Sequence, residues 1–284
     1  MADPARCWFI TGISSGLGLA LAKAVLARGD RVAGTFRKPE QGAQFEQLAP
    51  GRARAYRLDV TDFPAIPIVA AQAIRDLGRV DVLVNNAGYG LIGATEEVSH
   101  EQVMHHLSTN LIGPITLIRA FAEHFRTRRS GHIINISSTG GIFGFGGLSM
   151  YNAAKFGLEG LSEGLAGELA PLGVKVTIIA PGGFRTNWSD LSMQRGVNRI
   201  PDYDKSRGQL DAFISGNAGK QVGDPDKAAL AIIKVVESAN PPLRLALGED
   251  AIAAVRRKID LITRDLEAWD EVSRSTAFAS GAPA

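Results

Sequence analysis

A doubly wound α/β fold, with a parallel sheet of about seven strands flanked by helices in a single domain, is what this sequence predicts, and three observations carry the expectation. Short apolar runs alternate along the 284 residues with segments whose apolar side chains recur at three and four, the pattern of successive βαβ units. The runs are near-continuous and rich in β-branched residues, as in Ile133, Ile134 and Ile136, which suits strands buried on both faces. Clusters of glycine, serine and asparagine follow the ends of these runs, where open parallel sheets bind their ligands.

Composition narrows the class. A hydrophobic content of 45% with 21% charged residues is that of a globular chain with a large core. The net charge of +2 with no long basic run asks for neither nucleic acid nor an anionic membrane as partner. Cys7 is the single cysteine, so an internal disulfide is excluded and a reducing compartment fits. The opening Met-Ala-Asp-Pro-Ala-Arg lacks the pattern of a signal peptide, and no apolar run reaches the length of a membrane span. A cytoplasmic location is therefore expected.

In chain order, residues 7–11 read as the first strand, and Leu17, Ala20, Leu21, Ala24 and Val25 as the helix after it. Between them, Thr-Gly-Ile-Ser-Ser-Gly-Leu-Gly places Gly12, Gly16 and Gly18 where backbone amides and a helix N-terminus converge on an anion. The turn is either a plain tight turn or a pyrophosphate site; no Lys-Ser or Lys-Thr follows, which excludes a P-loop. The second strand, 31–35, ends in Phe36, Arg37 and Lys38. An acidic residue commonly grips a ribose diol there, and two cations suit a 2′-phosphate better. The third strand, 53–58, ends at Asp59, Val60 and Thr61, where the acid either meets an adenine amino group or caps the next helix. That helix spans 65–77, and a fourth strand, 80–84, leads to Asn85, Asn86, Ala87 and Gly88. The small residues let a cofactor approach, and the asparagines serve either it or the turn backbone.

Two helical stretches over 99–129 meet at Gly113 and Pro114, with Asn110 near the junction, where an amide kinks the helix or holds a water. His100, His105, His106, His124 and His132 lack a matching acid or cysteine set, so no metal site is expected and solvated helix faces are. The chemistry is placed in 131–160. A strand ends at Ser137 and Ser138, a glycine-rich turn without proline follows, and a helix carries Tyr151 and Lys155 one turn apart. A nearby ammonium favours the phenolate, so Lys155 is expected to lower the Tyr151 pKa, and Ser138 can donate to the carbonyl oxygen that Tyr151 protonates.

Helix continues to Pro171, and its Gly157, Gly160, Gly164, Ala166 and Gly167 suit close contact with another helix or subunit. A sixth strand, 174–180, leads to Pro181, Gly182 and Gly183. Residues 184–224 show little periodicity but many apolar side chains, among them Phe184, Trp188, Leu191, Met193, Ile200, Tyr203 and Phe213, which favours a substrate lid. Helix 225–238, strand 243–247 and a charged amphipathic helix 249–270 complete the chain, and 279–284 read as a frayed tail.

The ordered set of motifs over about residues 7–250 resembles the short-chain dehydrogenase/reductase family, whose Rossmann-like fold agrees with the reading above. The stretch Thr11 to Gly18, which includes Gly12, Ser14, Ser15, Gly16, Leu17 and Gly18, matches the family's cofactor turn. Asp59 with Val60 matches its adenine-side acid, and Asn85, Asn86, Ala87 and Gly88 its Asn-Asn-Ala-Gly segment. The resemblance implies a catalytic tetrad of Asn110, Ser138, Tyr151 and Lys155, with Lys155 also binding the nicotinamide ribose. Pro181, Gly182 and Thr186 correspond to the nicotinamide-side loop, from which Gly183-Phe184-Arg185 departs in bulk. Together with Arg37, these residues imply an NADP(H)-dependent oxidoreductase acting on a small-molecule alcohol or carbonyl compound. It also implies a homotetramer or homodimer. An epimerase or dehydratase that retains its nucleotide, and a non-catalytic NADP sensor, are the other classes open to this fold.

Overall fold

The computed structural model describes residues 5–189 and 192–278; the N-terminal residues 1–4, the lid residue Leu191 and the expected tail at 279–284 lie outside the described residues. The strands are β1 (Cys7–Ile10), β2 (Arg31–Phe36), β3 (Ala53–Arg57), β4 (Val82–Asn85), β5 (Gly90–Ile92), β6 (Gly131–Ile136), β7 (Val174–Pro181), β8 (Met193–Arg195) and β9 (Arg244–Leu247). The main helices are α1 (Gly16–Ala27), α2 (Pro39–Glu46), α3 (Ala65–Leu77), α4 (His100–Leu107), α5 (Gly113–Arg128), α6 (Ser149–Leu169), α7 (Gln209–Gly216), α8 (Pro225–Glu237), α9 (Glu249–Ala268) and α10 (Asp270–Arg274).

Seven strands form one parallel sheet in the order β3-β2-β1-β4-β6-β7-β9. From β1 the chain winds outward through β2 and β3, then returns to β4 on the other side of β1. This reversal opens a crevice at the carboxyl ends of β1 and β4, the switch point at which such sheets bind ligands. The pleat divides each strand between two cores. Trp8, Ile10, Val82, Val84 and Ile134 pack under α1, α2 and α8, whereas Phe9, Leu83 and Ile133 pack under α3, α5 and α6.

The expected strands and helices are present, with ends shifted by a residue or two. Helix α2 was not expected, since its Pro-Glu-Gln-Gly-Ala-Gln-Phe-Glu carries one large apolar residue, Phe45, which packs 5.5 Å from the Phe36 ring. The 184–224 stretch contains more order than its weak periodicity implies. Strand β8 pairs in parallel with β5, and α7 follows at its far end. A carboxylate far away in sequence holds this stretch: Glu97, 1% exposed, accepts from the amides of Ala94 and Ile200, each at 2.9 Å, and lies 3.1 Å from Arg207 Nε. Residues 193–207 are thus tied to the body of the molecule.

One expectation about polar residues is corrected here. His106 and His132 are buried rather than on solvated faces. His106 packs between the rings of Tyr89 and Tyr151, 4.9 and 5.9 Å between centroids, and His132 sits in β6 against Thr177. Burial pushes their pKa values down to about 3 and about 4, respectively, so both stay neutral and fit an interior that would reject their charged forms. Asn85 likewise serves the fold: its amide donates to Asn135, which donates to Ser162 on α6, each at 2.8 Å.

Candidate active site

The crevice widens into a cleft of about 1440 Å³ that crosses the carboxyl edge of the sheet. At one end lies the glycine turn between β1 and α1. Gly12 has φ +69° and Gly16 φ +59°, backbone that favours glycine, and a Cβ on Gly12 would stand 3.0 Å from Ala87 Cα. Thr11 braces the turn from below, its hydroxyl oxygen accepting from the amides of Asn86 and Ala87, both at 3.0 Å. The Asn86 side chain donates to the carbonyls of Thr11 and Gly12 at 2.8 and 3.0 Å. Asn86 lines the cleft, and its amino group holds the turn in place.

Gly12, Ser14, Ser15, Gly16 and Leu17 all line the cleft. Gly18 does not, a correction to its reading as a cofactor contact: it is buried behind the turn, where a Cβ would stand 2.6 Å from the Gly12 carbonyl oxygen and collide with the Asn86 amide. Its missing side chain lets α1 approach the strand. Beyond β2, Arg37 and Lys38 are exposed on the cleft wall, while the Phe36 ring is buried. Asp59 and Val60 line the wall beside them. Burial would raise the Asp59 pKa, but the Thr61 amide and hydroxyl, at 2.9 and 2.7 Å, and the nearby Arg37 charge hold it below the usual carboxylate range.

At the other end the structure brings together Asn110, Ser138, Tyr151 and Lys155, from a bent helix, a strand end and α6. Between α4 and α5, Ser108–Ile112 forms a wider π turn, and Asn110 within it donates to the carbonyls of Tyr89 and His106 at 3.2 Å each. This insertion is the helix distortion that the polar residue announces. The Asn110 carbonyl oxygen is buried without a partner, and a Cβ on Gly88 would come 2.6 Å from it and 3.7 Å from Lys155 Nζ. An acceptor and an ammonium therefore border the same small space, which a water could occupy.

Lys155 donates to the Ile136 carbonyl at 2.9 Å, and its Nζ lies 5.9 Å from the Tyr151 ring centroid. Desolvation pulls the Lys155 pKa down to about 8 against the charge of Glu159. Burial pushes that of Tyr151 up to about 12, while a hydrogen bond from Ser138 opposes the rise. The expected lowering of the Tyr151 pKa by its neighbour is thus corrected: it is raised. Loss of hydration at the buried phenol outweighs the hydrogen bond from Ser138, the one opposing effect.

Pro181, Gly182 and Thr186 also line the cleft. The bulky Gly183-Phe184-Arg185 has a defined pose: Gly183 N donates to Asp250 Oδ2 at 2.7 Å, and Arg185 grips the Gln221 carbonyl through Nε and Nη2 at 3.2 and 3.1 Å. Beside Trp188 and Phe213, which the lid reading named, Phe145, Leu148, Leu210 and Ile214 line the cleft without a distinct sequence signal. Leu210, Phe213 and Ile214 present one face of α7 to the cleft opposite Phe145, Leu148 and Trp188; their spacing of three and four shows once α7 is known. The Trp188 ring stands 5.4 Å from that of Tyr151. Among the described residues no group of three or more His, Cys, Asp or Glu could hold a metal, and no helix is long and apolar enough to cross a membrane.

Comparison with known proteins agrees with this arrangement. Residues 6–195 match a family model described as short chain dehydrogenase. The chain is 37% identical over 273 residues to "Oxidoreductase BOA17" of Botryotinia fuckeliana, covering 96% of this chain and 99% of that protein. A solved short-chain dehydrogenase from Streptomyces avermitilis superposes with a TM-score of 0.92 at 43% identity, over 98% of this chain and 100% of that one. A metagenomic short-chain oxidoreductase solved in complex with NADP does so with a TM-score of 0.67 at 29% identity, over 85% and 96%.

Proposed function

Because the chain belongs to the short-chain dehydrogenase family of oxidoreductases, we propose that it uses NADP(H) to interconvert a secondary alcohol and a ketone or aldehyde, with Tyr151 as general acid and base. One observation carries this reading: a buried phenol and ammonium and a half-buried serine hydroxyl converge at one end of a cleft whose other end is a glycine turn flanked by Arg37 and Lys38. The residues fit the cofactor. Gly12 and Gly16, both at positive φ, turn the backbone so that the α1 N-terminus faces the cleft, where a pyrophosphate would sit. Arg37, with Lys38, would hold the 2′-phosphate, Asp59 and Val60 the adenine, and Asn86, Ala87 and Gly88 the adjoining ribose. Lys155 would hold the nicotinamide ribose, and Pro181, Gly182 and Thr186 the carboxamide. When bound, the nicotinamide would supply or accept the hydride.

The protein's own part is to hold the carbonyl and move a proton. Ser138 donates to the substrate oxygen, and Tyr151 gives that oxygen its proton during reduction and takes it back during oxidation. The high Tyr151 pKa keeps the phenol protonated at neutral pH, the form that reduction needs. Asn110 and Lys155 hold a water between them, through which the phenol regains its proton. The wall of Phe145, Leu148, Trp188, Leu210, Phe213 and Ile214 favours an apolar substrate body, each buried methylene contributing about 0.8 kcal/mol. The test is a panel of ketones of increasing alkyl length beside polar keto acids and ketoses, followed by nicotinamide absorbance. Net consumption of NADPH supports the reading, since a nucleotide-retaining epimerase or a sensor shows none; no consumption across the panel overturns it.

The lid should respond unevenly to ligand. Residues 193–207 are already held by β5, Glu97 and Arg207, whereas Phe213 is 67% and Val222 98% exposed on the cleft side. On binding NADP and an inhibitory alcohol, hydrogen exchange should slow mainly in 209–223. Equal protection at 193–207, or none in either stretch, would count against a lid hinged on that anchor.

We further propose a homotetramer or homodimer through α6. Cβ atoms built on Gly160, Gly164 and Gly167 would meet nothing within 4 Å, so this stretch of α6 is open to a second helix. Light scattering at micromolar concentration should report more than one subunit; a monomer would remove the proposal.

A further inference from the structure

We infer that α9 carries a second, separate interface, through which two copies of this chain pair about a two-fold axis as an antiparallel two-helix coiled coil. The helix rests on its own body along one side: Ala251 is buried, the Arg257 guanidinium lies 5.0 Å from the Phe143 ring, and Lys258 Nζ lies 5.9 Å from that of Phe156. A neighbouring stripe faces outward, with Val255 half-buried within it and Trp269 just past the helix end. Ile252, Val255, Ile259, Ile262, Leu266 and Trp269 follow one another at intervals of three, four, three, four and three residues, the alternating a and d positions of a coiled-coil seam. Ile252, Ile259, Ile262, Leu266 and Trp269 are 43%, 56%, 48%, 65% and 63% exposed. A contiguous apolar stripe of this kind marks a contact surface.

The charges beside the seam choose both the partner and its direction. With Ile252 at a and Val255 at d, the g positions are Lys258 and Asp265, and the e positions are Arg256, Thr263 and Asp270. In a parallel pair each g faces the e of the following heptad, so Lys258 would oppose Thr263 of the partner subunit and Asp265 would find no cation within the helix, which ends at Ala268. An antiparallel pair sets g against g, and Lys258 of each copy then meets Asp265 of the partner subunit. Asp265 is free to turn: its contact with Arg264 is 3.6 Å long, and both side chains are more than 70% exposed. The same register lays Ile252 against the partner's Trp269, Val255 against the partner's Leu266, and Ile259 against the partner's Ile262. Every a meets a d, and the whole stripe is covered. A surface that matches itself under a two-fold rotation is the requirement for an isologous dimer, so the occupant is a second copy of this chain.

The test is the subunit number of Ile262→Asp, a substitution at an exposed position, by size exclusion with light scattering over a dilution series. The variant should halve the mass found for the wild type at the same micromolar concentration. Lys258→Glu should weaken assembly, and Lys258→Glu with Asp265→Lys should restore it, which a mere folding defect would not do. An unchanged mass in Ile262→Asp, or a wild type that is monomeric at every concentration, overturns the proposal. So does binding to phosphatidylserine vesicles that Ile262→Asp abolishes without a change of mass, since the seam would then face lipid. A wild-type dimer that Ile262→Asp turns into a monomer supports the α9 seam and removes the α6 interface instead.

Discussion

Tyr151→Phe should lower turnover by ~10²–10⁴-fold, the usual contribution of a positioned proton donor, while leaving NADPH binding nearly intact. The ring is 4% exposed and packs between His106 and Trp188, so phenylalanine occupies the same space and the fold survives. Only the hydroxyl is lost, together with its hydrogen bond to Ser138. Steady-state rates beside a fluorescence titration of NADPH separate the two effects. Near wild-type turnover would remove Tyr151 from the chemistry, and an equal loss of NADPH affinity would make it a binding residue. Proton demand adds a directional signature. Burial raises the Tyr151 pKa to about 12, so alcohol oxidation, which needs the phenolate, should speed up with rising pH, whereas carbonyl reduction should not.

Arg37→Ala should raise the NADP dissociation constant about ten- to a hundredfold and change that of NAD little. Arg37 stands exposed on the cleft wall just past β2, with Lys38 and Gln41 lining the same wall. Its planar fork of donors matches phosphate oxygens. A charge-assisted hydrogen bond contributes ~1.5–3 kcal/mol, and ~1.4 kcal/mol corresponds to a factor of ten. NAD has no 2′-phosphate to lose, so the two titrations should diverge. If wild type binds both nucleotides equally, or if Arg37→Ala weakens both alike, the phosphate role belongs elsewhere. Phe36 itself turns its ring into the core against Phe45, and the strand end presents the next two side chains to the cleft.

Much of this was legible in the chain itself. The strand runs, the helix at Ala65–Leu77, the glycine turn, and Tyr151 and Lys155 one turn apart on α6 depend on neighbours within a few residues, and local periodicity records such neighbours. Asn110 announced a helix distortion because a polar amide competes with nearby backbone bonds, and the π turn stands there. Other features were decided only when distant segments met. Gly18 serves packing because the Asn86 side chain lies against it, and His106 is neutral because Tyr89 and Tyr151 enclose it. The 193–207 stretch is held because Glu97, about a hundred residues earlier, receives its amide and its arginine. The Tyr151 pKa rises because the folded chain strips water from the phenol, and the hydrogen bond from Ser138 offsets only part of that loss. Periodicity and turn chemistry are properties of adjacent residues, so the sequence by itself determined the sheet, its helices and the types of group at its carboxyl edge. Burial, hydration and the partners of polar atoms depend on residues that only the tertiary structure brings into contact, and these decided which groups face the cleft and in what charge state.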